Sequence, residues 1–155
     1  MSRISVDELK RQAPAISVAG GISEENAAML ADALVCTDMR GIHSHGVVRL
    51  ARYLDCIKSG CVKPNAQPVT LNEGPNSLQV SAAGGLGIPA AVKTVRRLME
   101  KGKSQAICVA TVNHSDRYGA AGYFSSLHDA PLHETMRSRF RAKTTRKHLQ
   151  AILTN

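Results

Sequence analysis

The spacing of apolar residues changes once along this chain, near residues 67–71. Before that point apolar side chains recur every three or four positions, a spacing typical of amphipathic helices. After it come short alternating runs and one unbroken apolar run, which favour strands, with a helical pattern between them. The sequence therefore predicts an α+β fold, with an N-terminal helical section over residues 1–68 followed by the start of a mixed α/β sheet over residues 69–124.

Three helices are predicted in the helical section. The first lies over residues 7–18, and its candidate core contacts are Ile4, Leu9 and Ile16. The second is capped by Ser23 and runs to about residue 39. Its apolar stripe comprises Ala27, Leu30, Ala31, Leu34 and Val35. The third runs over residues 47–58, and its apolar face comprises Leu50, Tyr53, Leu54 and Ile57.

Two short strands are predicted over residues 69–71 and 78–80, joined by a turn containing Gly, Pro and Asn. A helix over residues 89–101 follows, and then a buried strand over residues 106–112. Two or three strands with one helix cannot cover both faces of a sheet. We therefore expect either a partner chain that completes the sheet or an incomplete domain.

The charge is concentrated at the end of the chain. The whole sequence carries +8, and residues 125–155 hold six basic against two acidic side chains. This atypical basic tail lacks clear periodicity, as an unselected reading frame would, and it allows a binding module that contacts nucleic acid or an anionic surface. The helical section could likewise serve only for dimerisation. Nucleic acid is not the partner that the rest of the sequence favours.

The cellular location predicted from the sequence is the cytoplasm. No apolar run approaches the length of about 18–20 residues that spans a bilayer. The first twelve residues lack the apolar segment of a secretory signal. The four cysteines at positions 36, 56, 61 and 108 have no C-x-x-C spacing, so we expect free thiols and no metal site.

The densest chemical cluster lies over residues 38–46, with the sequence DMRGIHSHG. A histidine titrates near neutrality and can exchange the proton of a carbonyl/alcohol interconversion, with Ser44 beside His45 to orient the ring or relay the proton. Arg49 follows His45 by four residues, so a shared helix face would suit a bidentate grip on a carboxylate. The alternative is a helix–loop–helix whose histidine and serine side chains only cap helix ends.

Two further segments carry weaker signals. Residues 85–90 match the dinucleotide pattern G-x-G-x-x-A, but no acidic residue ends the next strand to bind a ribose. They are either a Gly-rich turn or part of a small Rossmann protein that binds NAD. Residues 113–122 form a polar loop before a helix, which is either a phosphate-binding loop or a solvated connection.

The segments TDMRGIHSHGVVRLARYLDCIKSGCVKPNAQP and SDRYGAAGYF resemble the malate/L-lactate dehydrogenase family that does not use a Rossmann fold. The resemblance covers about residues 5–124, and its most specific part is R-G-x-x-S-H-G with an arginine downstream. It implies an NAD- or NADP-dependent enzyme that interconverts small 2-oxo and 2-hydroxy acids. It also implies a homodimer with a helical section and a larger α+β cofactor domain.

Roles for individual residues follow from this resemblance by position. Ser44 would be the relay, His45 the proton donor and Arg49 a contact of the substrate carboxylate. The stretch that would lie along the cofactor comprises Arg117, Tyr118, Gly119, Ala120 and Ala121. The resemblance distinguishes neither NAD from NADP nor one 2-hydroxy acid from another.

The sequence departs from the family pattern in two ways. Arg117 stands where the family usually has histidine, and an arginine cannot act as a general acid near pH 7. Family members are also about twice as long, so the remaining strands of the cofactor domain have no counterpart here. We therefore expect a truncated family member whose residues 125–155 come from a shifted reading frame, with doubtful activity.

Overall fold

The computed structural model describes residues 4–127, and it confirms the α+β class. Two single turns of 3-10 helix, His43–His45 and Val47–Arg49, lie between the second and third α-helices. The regular elements in chain order are α1 (Val6–Ala19), α2 (Glu24–Met39), α3 (Leu50–Lys58), β1 (Val69–Glu73), β2 (Ser77–Ser81), α4 (Gly87–Lys101), β3 (Val109–Asn113) and α5 (Ala121–Phe124).

Helix α2 is the most deeply buried helix of the helical section. Ser23 caps it as predicted, because its hydroxyl accepts a hydrogen bond from the Asn26 backbone N–H at 3.4 Å. All five residues of the predicted stripe are buried, together with neighbours such as Met29 and Ala33 on other faces. A helix that is apolar around most of its circumference is stable only when it is covered on several sides. Helices α1, α4 and α5 all contact it.

The predicted core contacts of α1 were partly wrong. Ile4 and Ile16 are 49% and 45% exposed, and only Leu9 packs against the core. The line of α1 that faces inward contains Leu9, Ala13 and Ser17, which follow one another at a spacing of four residues. Ile16 lies off this line, so it points away from the core.

The third predicted helix begins later than expected. The α-helix starts only at Leu50, and the residues before it form the two 3-10 turns. Leu50 and Tyr53 are buried as predicted, whereas Leu54 and Ile57 are half-buried against the same core. Just before this helix, a side chain of α2 accepts a hydrogen bond from the backbone N–H of Val47.

The sheet has the order β1-β2-β3. Strands β1 and β2 pair antiparallel, with a register shift between Thr70 and Asn72. Strands β2 and β3 pair parallel, and α4 forms the crossover between them. The third strand begins at Val109 rather than at the predicted residue 106, because pairing with β2 starts only where Val109 meets Ser77.

Helix α4 joins two hydrophobic cores. One face, with Ile88, Val92 and Val95, packs into the core of the helical section. Ala90 and Leu98 pack with the strands in a second core. The change from helices to strands occurs where the periodicity placed it, and a domain boundary at residues 68/69 remains a prediction.

The face of the sheet that points away from α4 is open to solvent. Val69 and Leu71 of β1 are each 52% exposed, and Val109 of β3 is 37% exposed. A parallel strand pair in a complete α/β domain is normally covered on both faces. Within residues 4–127 this face is uncovered, and the expectation of a partner chain or an incomplete domain stays a prediction.

Other predictions concern the cysteines, the membrane and the tail. All four cysteines are free; Cys36 and Cys108 are buried, Cys56 is half-buried and Cys61 is exposed. Among residues 4–127 no helix is long and apolar enough to cross a membrane. Residues 128–155 lie outside the described part of the chain, so the predictions about the basic tail stay predictions for almost all of it.

Gly87, the first residue of α4, provides a test of this packing. A Cβ at this position would overlap the backbone carbonyls of Asp116 and Arg117. We therefore expect Gly87→Ala to lower the free energy of unfolding by about 1–3 kcal/mol, the usual cost of overpacking. Urea denaturation measures it.

Gly102→Ala is the matched control, because a Cβ there would lie 3.4 Å and 3.5 Å from the carbonyl oxygens of Met99 and Leu98, an ordinary contact. Equal stability of the two variants would contradict the close approach at Gly87.

Candidate functional site

The candidate site is built on the first 3-10 turn, which presents Ser44 and His45 to solvent. The Ser44 hydroxyl lies 3.0 Å from Nδ1 of His45, within hydrogen-bond distance. A hydrogen bond at Nδ1 fixes the ring orientation and leaves Nε2 as the nitrogen that faces away from the turn. The structure therefore brings together the two residues that the sequence predicted as a pair.

Arg49 lies beside this pair, but not in the predicted way. His45 and Arg49 do not share an α-helical face, because the chain between them forms two separate 3-10 turns with an extended Gly46 at the junction. Instead, Nε of Arg49 donates a hydrogen bond to the Ser44 backbone carbonyl at 2.6 Å. The guanidinium is thus held against the Ser44–His45 turn by its own side-chain contact.

Asp38 lies beneath this turn, and the sequence alone suggested no role for it. One carboxylate oxygen lies 2.9 Å from Nδ1 of His43, and the other accepts the Val47 backbone N–H at 2.6 Å. The only signal in the sequence was its place in the same dense polar cluster. A contact between residues nine positions apart, across a helix end, has no local pattern.

Two side chains of α2 and its C-cap connect the site to α5. Arg40 donates to the Gly122 backbone carbonyl at 2.5 Å and to the Ser126 hydroxyl at 2.9 Å. Tyr123 donates its hydroxyl to Asp32 at 2.7 Å. Burial, and then the hydrogen bond to Asp32, raise the pKa of Tyr123 far above its ordinary value. The residues that directly follow the predicted cofactor stretch are therefore anchored on α2 and its C-cap.

The polar loop after β3 folds over the Gly-rich segment that precedes α4. Gly84 donates its backbone N–H to the His114 carbonyl at 2.8 Å, and Asp116 donates to the Gly85 carbonyl at 3.0 Å. Carbonyl groups of this loop also pack directly against Gly87. The first turn of α4 is thereby covered by protein, whereas a dinucleotide fingerprint needs an open helix N-terminus to receive a pyrophosphate.

Tyr53 connects the two predicted halves of the site. Its hydroxyl donates to the Arg117 backbone carbonyl at 3.3 Å. Burial raises the pKa of Tyr53 to about 12, and the carboxylate of Asp116 adds to this shift, whereas the charges of Arg117 and Arg49 oppose it. The carboxylate-binding candidate and the cofactor-loop candidate therefore lie near the same phenol.

The residues of the predicted cofactor stretch differ in their exposure to solvent. Arg117 and Ala121 are exposed, and Tyr118, Gly119 and Ala120 are half-buried. Gly119 has a φ of +79°, a conformation that favours glycine. Two buried acceptors in the same loop, Oδ1 of Asn113 and Oδ2 of Asp116, have no hydrogen-bond partner within the described part of the chain.

The side chains in residues 4–127 that could bind a metal ion are those of His, Cys, Asp and Glu. Within that range no group of three or more His, Cys, Asp or Glu side chains is placed to hold a metal ion. The candidate chemistry of the described site therefore consists of a histidine–serine pair, arginines and backbone groups.

The chain is similar in sequence to several dehydrogenases. It is 36% identical to the malate dehydrogenase of Pyrococcus abyssi over 123 residues, which cover 79% of this chain and 34% of that protein. It is 30% identical to the L-sulfolactate dehydrogenase of Methanocaldococcus jannaschii over 107 residues, which cover 69% of this chain and 31% of that protein. The chain spans about a third of the length of these curated relatives.

Solved structures show the same relationship. The malate dehydrogenase of Pyrococcus horikoshii superimposes with a TM-score of 0.77 at 34% identity, over 79% of this chain and 35% of that one. The Δ1-piperideine-2-carboxylate reductase of Pseudomonas syringae superimposes with a TM-score of 0.71 at 29% identity, over 77% of this chain and 36% of that one.

The fold is therefore of the α+β type seen in these structures, of which this chain matches about a third. A family model described as malate/L-lactate dehydrogenase matches residues 4–128. The chain belongs to the malate/L-lactate dehydrogenase family.

The buried phenol of Tyr53 predicts a pH effect on stability. In the unfolded chain this group ionises near its ordinary pKa of 10.0, whereas in the folded protein it ionises near 12. Stability is therefore lost as pH rises from about 10 to about 12, by at most about 3 kcal/mol at 1.36 kcal/mol per unit. Tyr53→Phe removes this loss.

We expect the curve of unfolding free energy against pH for Tyr53→Phe to cross the curve for the unsubstituted chain. Near pH 7 the Tyr53→Phe variant is less stable by about 1 kcal/mol, because it lacks the hydrogen bond to the Arg117 carbonyl. Near pH 12 it is the more stable protein. Urea denaturation at a series of pH values measures both curves, and parallel curves would show that the phenol is not shielded.

Proposed function

We propose that the protein transfers a hydride between a nicotinamide cofactor and C2 of a small 2-oxo or 2-hydroxy acid. The observation that carries the proposal is the Ser44–His45 pair with Arg49 bound to the same turn, within a segment matched by the family model. The relatives support it because their names specify malate, sulfolactate and pyrroline- or piperideine-2-carboxylate. All of these are carboxylic acids.

His45 exchanges the proton in this proposal. In its protonated form the ring donates Nδ1–H to the Ser44 hydroxyl and presents Nε2–H to the carbonyl oxygen of the 2-oxo acid. Reduction places the hydride on C2 and the Nε2 proton on oxygen, which leaves a neutral imidazole. His45 is exposed, so solvent can return a proton directly to Nε2, while Ser44 keeps the Nδ1–H side of the ring oriented. Oxidation of a 2-hydroxy acid reverses these steps.

Arg49 binds the substrate carboxylate. Its Nε is engaged by the Ser44 carbonyl, and the terminal nitrogens of the guanidinium offer paired donors that match a carboxylate. The contact with the Ser44 carbonyl sets the distance between the carboxylate and the proton donor. A carboxylate bound there places the neighbouring C2 carbonyl next to the Ser44–His45 turn.

The loop over residues 113–121 would hold the cofactor, NAD or NADP, which supplies or accepts the hydride when bound. The donor set fits such a group. Arg117 presents an exposed guanidinium that suits a phosphate, and the unpartnered acceptors of Asn113 and Asp116 suit ribose hydroxyl or carboxamide donors. Tyr118, Gly119, Ala120 and Ala121 would complete the contact surface.

Assembly and location belong to the same proposal. A homodimer is the assembly that the family resemblance implies, and a second subunit would also help to cover the open face of the sheet. Four free cysteines suit a reducing compartment such as the cytoplasm.

Substitution of the site residues tests the proposal. We expect the chain to oxidise NADH or NADPH with pyruvate or oxaloacetate, measured by absorbance at the nicotinamide band. His45→Gln should lower kcat by about 100-fold or more, because general acid–base catalysis contributes that much. Arg49→Lys should raise KM for the 2-oxo acid by about tenfold or more, through loss of a bidentate charged contact.

Arg52→Lys is the matched control for Arg49, because Arg52 is an exposed arginine of the same helical segment outside the proposed site. The proposal is wrong if the chain binds neither reduced cofactor nor the 2-oxo acid analogue oxamate. Turnover that is unaffected by His45→Gln would assign the proton transfer to another group.

A further inference from the structure

We propose that Asp38 is a positioning residue: its carboxylate binds both ends of the turn that carries Ser44 and His45 and so sets the placement of the proton donor and of Arg49. This inference rests on the proposed function for its catalytic meaning. The contacts themselves are independent of that function.

The two oxygens of the Asp38 carboxylate contact different residues. One lies 2.9 Å from Nδ1 of His43, which precedes the Ser44–His45 pair. The other accepts the backbone N–H of Val47, which follows the pair, at 2.6 Å. A bond of this length from an N–H to a charged oxygen belongs to the strong class of hydrogen bonds. The catalytic pair is therefore held between two anchors on one side chain.

Burial separates this contact from an ordinary surface ion pair. The Asp38 side chain is 18% exposed, although that of His43 is 77% exposed. Gly46 is buried directly against the carboxylate, and a Cβ at this position would overlap it. The turn is thus packed onto Asp38, and the glycine between the two 3-10 turns is required by that packing.

The location of Asp38 on its helix supports a role outside the helix. It lies in the last turn of α2, where the helix dipole disfavours a negative charge by about 0.3–1 kcal/mol. That last turn contains no basic residue to offset the charge. The carboxylate is stabilised instead by the Val47 N–H and the His43 ring, so its compensating contacts are those that hold the turn.

The contacts form a closed path through the site. Val47 begins the 3-10 turn that ends at Arg49, and Arg49 returns to the Ser44 carbonyl. Ser44 in turn bonds the His45 ring. Loss of the Val47 anchor therefore moves Arg49 and, through the Ser44 carbonyl, the orientation of the proton donor.

The first test uses NMR and needs no catalytic activity. In the full chain, Asp38→Ala should reduce the hydrogen-exchange protection of the Val47 amide by about tenfold or more and shift the ring nitrogen signals of His45. Asp38→Asn, which keeps one oxygen for the Val47 N–H, should restore part of the protection. His43→Gln, which keeps the Val47 contact, should leave the protection of Val47 intact.

Asp55→Ala is the control, because Asp55 is an exposed aspartate of α3 outside the site. Unchanged Val47 protection and His45 signals in a folded Asp38→Ala protein would overturn the inference. If Asp38→Ala does not fold, the comparison of Asp38→Asn with His43→Gln decides, and equal Val47 protection in these two and in the unsubstituted chain would also overturn it.

The second test separates positioning from general stability. Asp38→Ala should weaken oxamate binding, or raise KM for the 2-oxo acid, by about tenfold, while NADH affinity stays within about twofold because the loop over residues 117–121 is untouched. Equal loss of NADH and oxamate affinity would indicate a merely structural role and overturn the inference. Failure of the unsubstituted chain to bind oxamate or turn over would contradict the proposed function, whereas the NMR result would still decide the role of Asp38.

Discussion

The burial of α2 is the constraint on which the rest of the structure depends. Leu30 and Leu34 are almost fully excluded from solvent, and each such side chain contributes about 1.5–3 kcal/mol when it leaves water. Helices α1, α4 and α5 all contact α2. Helix α4 has residues in the core of the helical section and also in the second core with the strands. Helix α4 therefore connects the sheet to the helical section.

Helix α2 and its C-cap residue hold three anchors of the candidate site. Asp32 receives the Tyr123 hydroxyl, Asp38 holds the turn with the Ser-His pair, and Arg40 at the helix C-cap holds the Gly122 carbonyl. A site built on a rigid element keeps its geometry better than one on loops alone. Chemistry that needs a proton donor and a cofactor in fixed relation would therefore use α2 as the common reference.

Periodicity predicted the elements that packing alone determines, and it could not predict those determined by distant polar contacts. The buried stripe of α2 follows a helical spacing, so it was visible in the sequence. The contact between Asp38 and the Val47 N–H before α3 was not, because it joins residues nine positions apart. Bonds from Arg40 to Gly122 and from Tyr53 to Arg117 span 82 and 64 positions, and such separations leave no local pattern. The chemistry of the site residues and a family resemblance indicated them in the sequence. The residues that hold them in place are recognisable only in the folded structure.

Arg117 stands where the family usually has histidine. This arginine changes the chemistry available at the site, but the backbone contacts that hold the loop do not depend on it. The loop is attached through backbone groups: the Arg117 carbonyl accepts the Tyr53 hydroxyl, and the Asp116 N–H donates to Gly85. Neither contact depends on the side chain at position 117, which is exposed. A permanent cation there cannot exchange a proton near pH 7. In the proposed function His45 is therefore the proton donor, and the contacts by which Asp38 holds its turn matter correspondingly more.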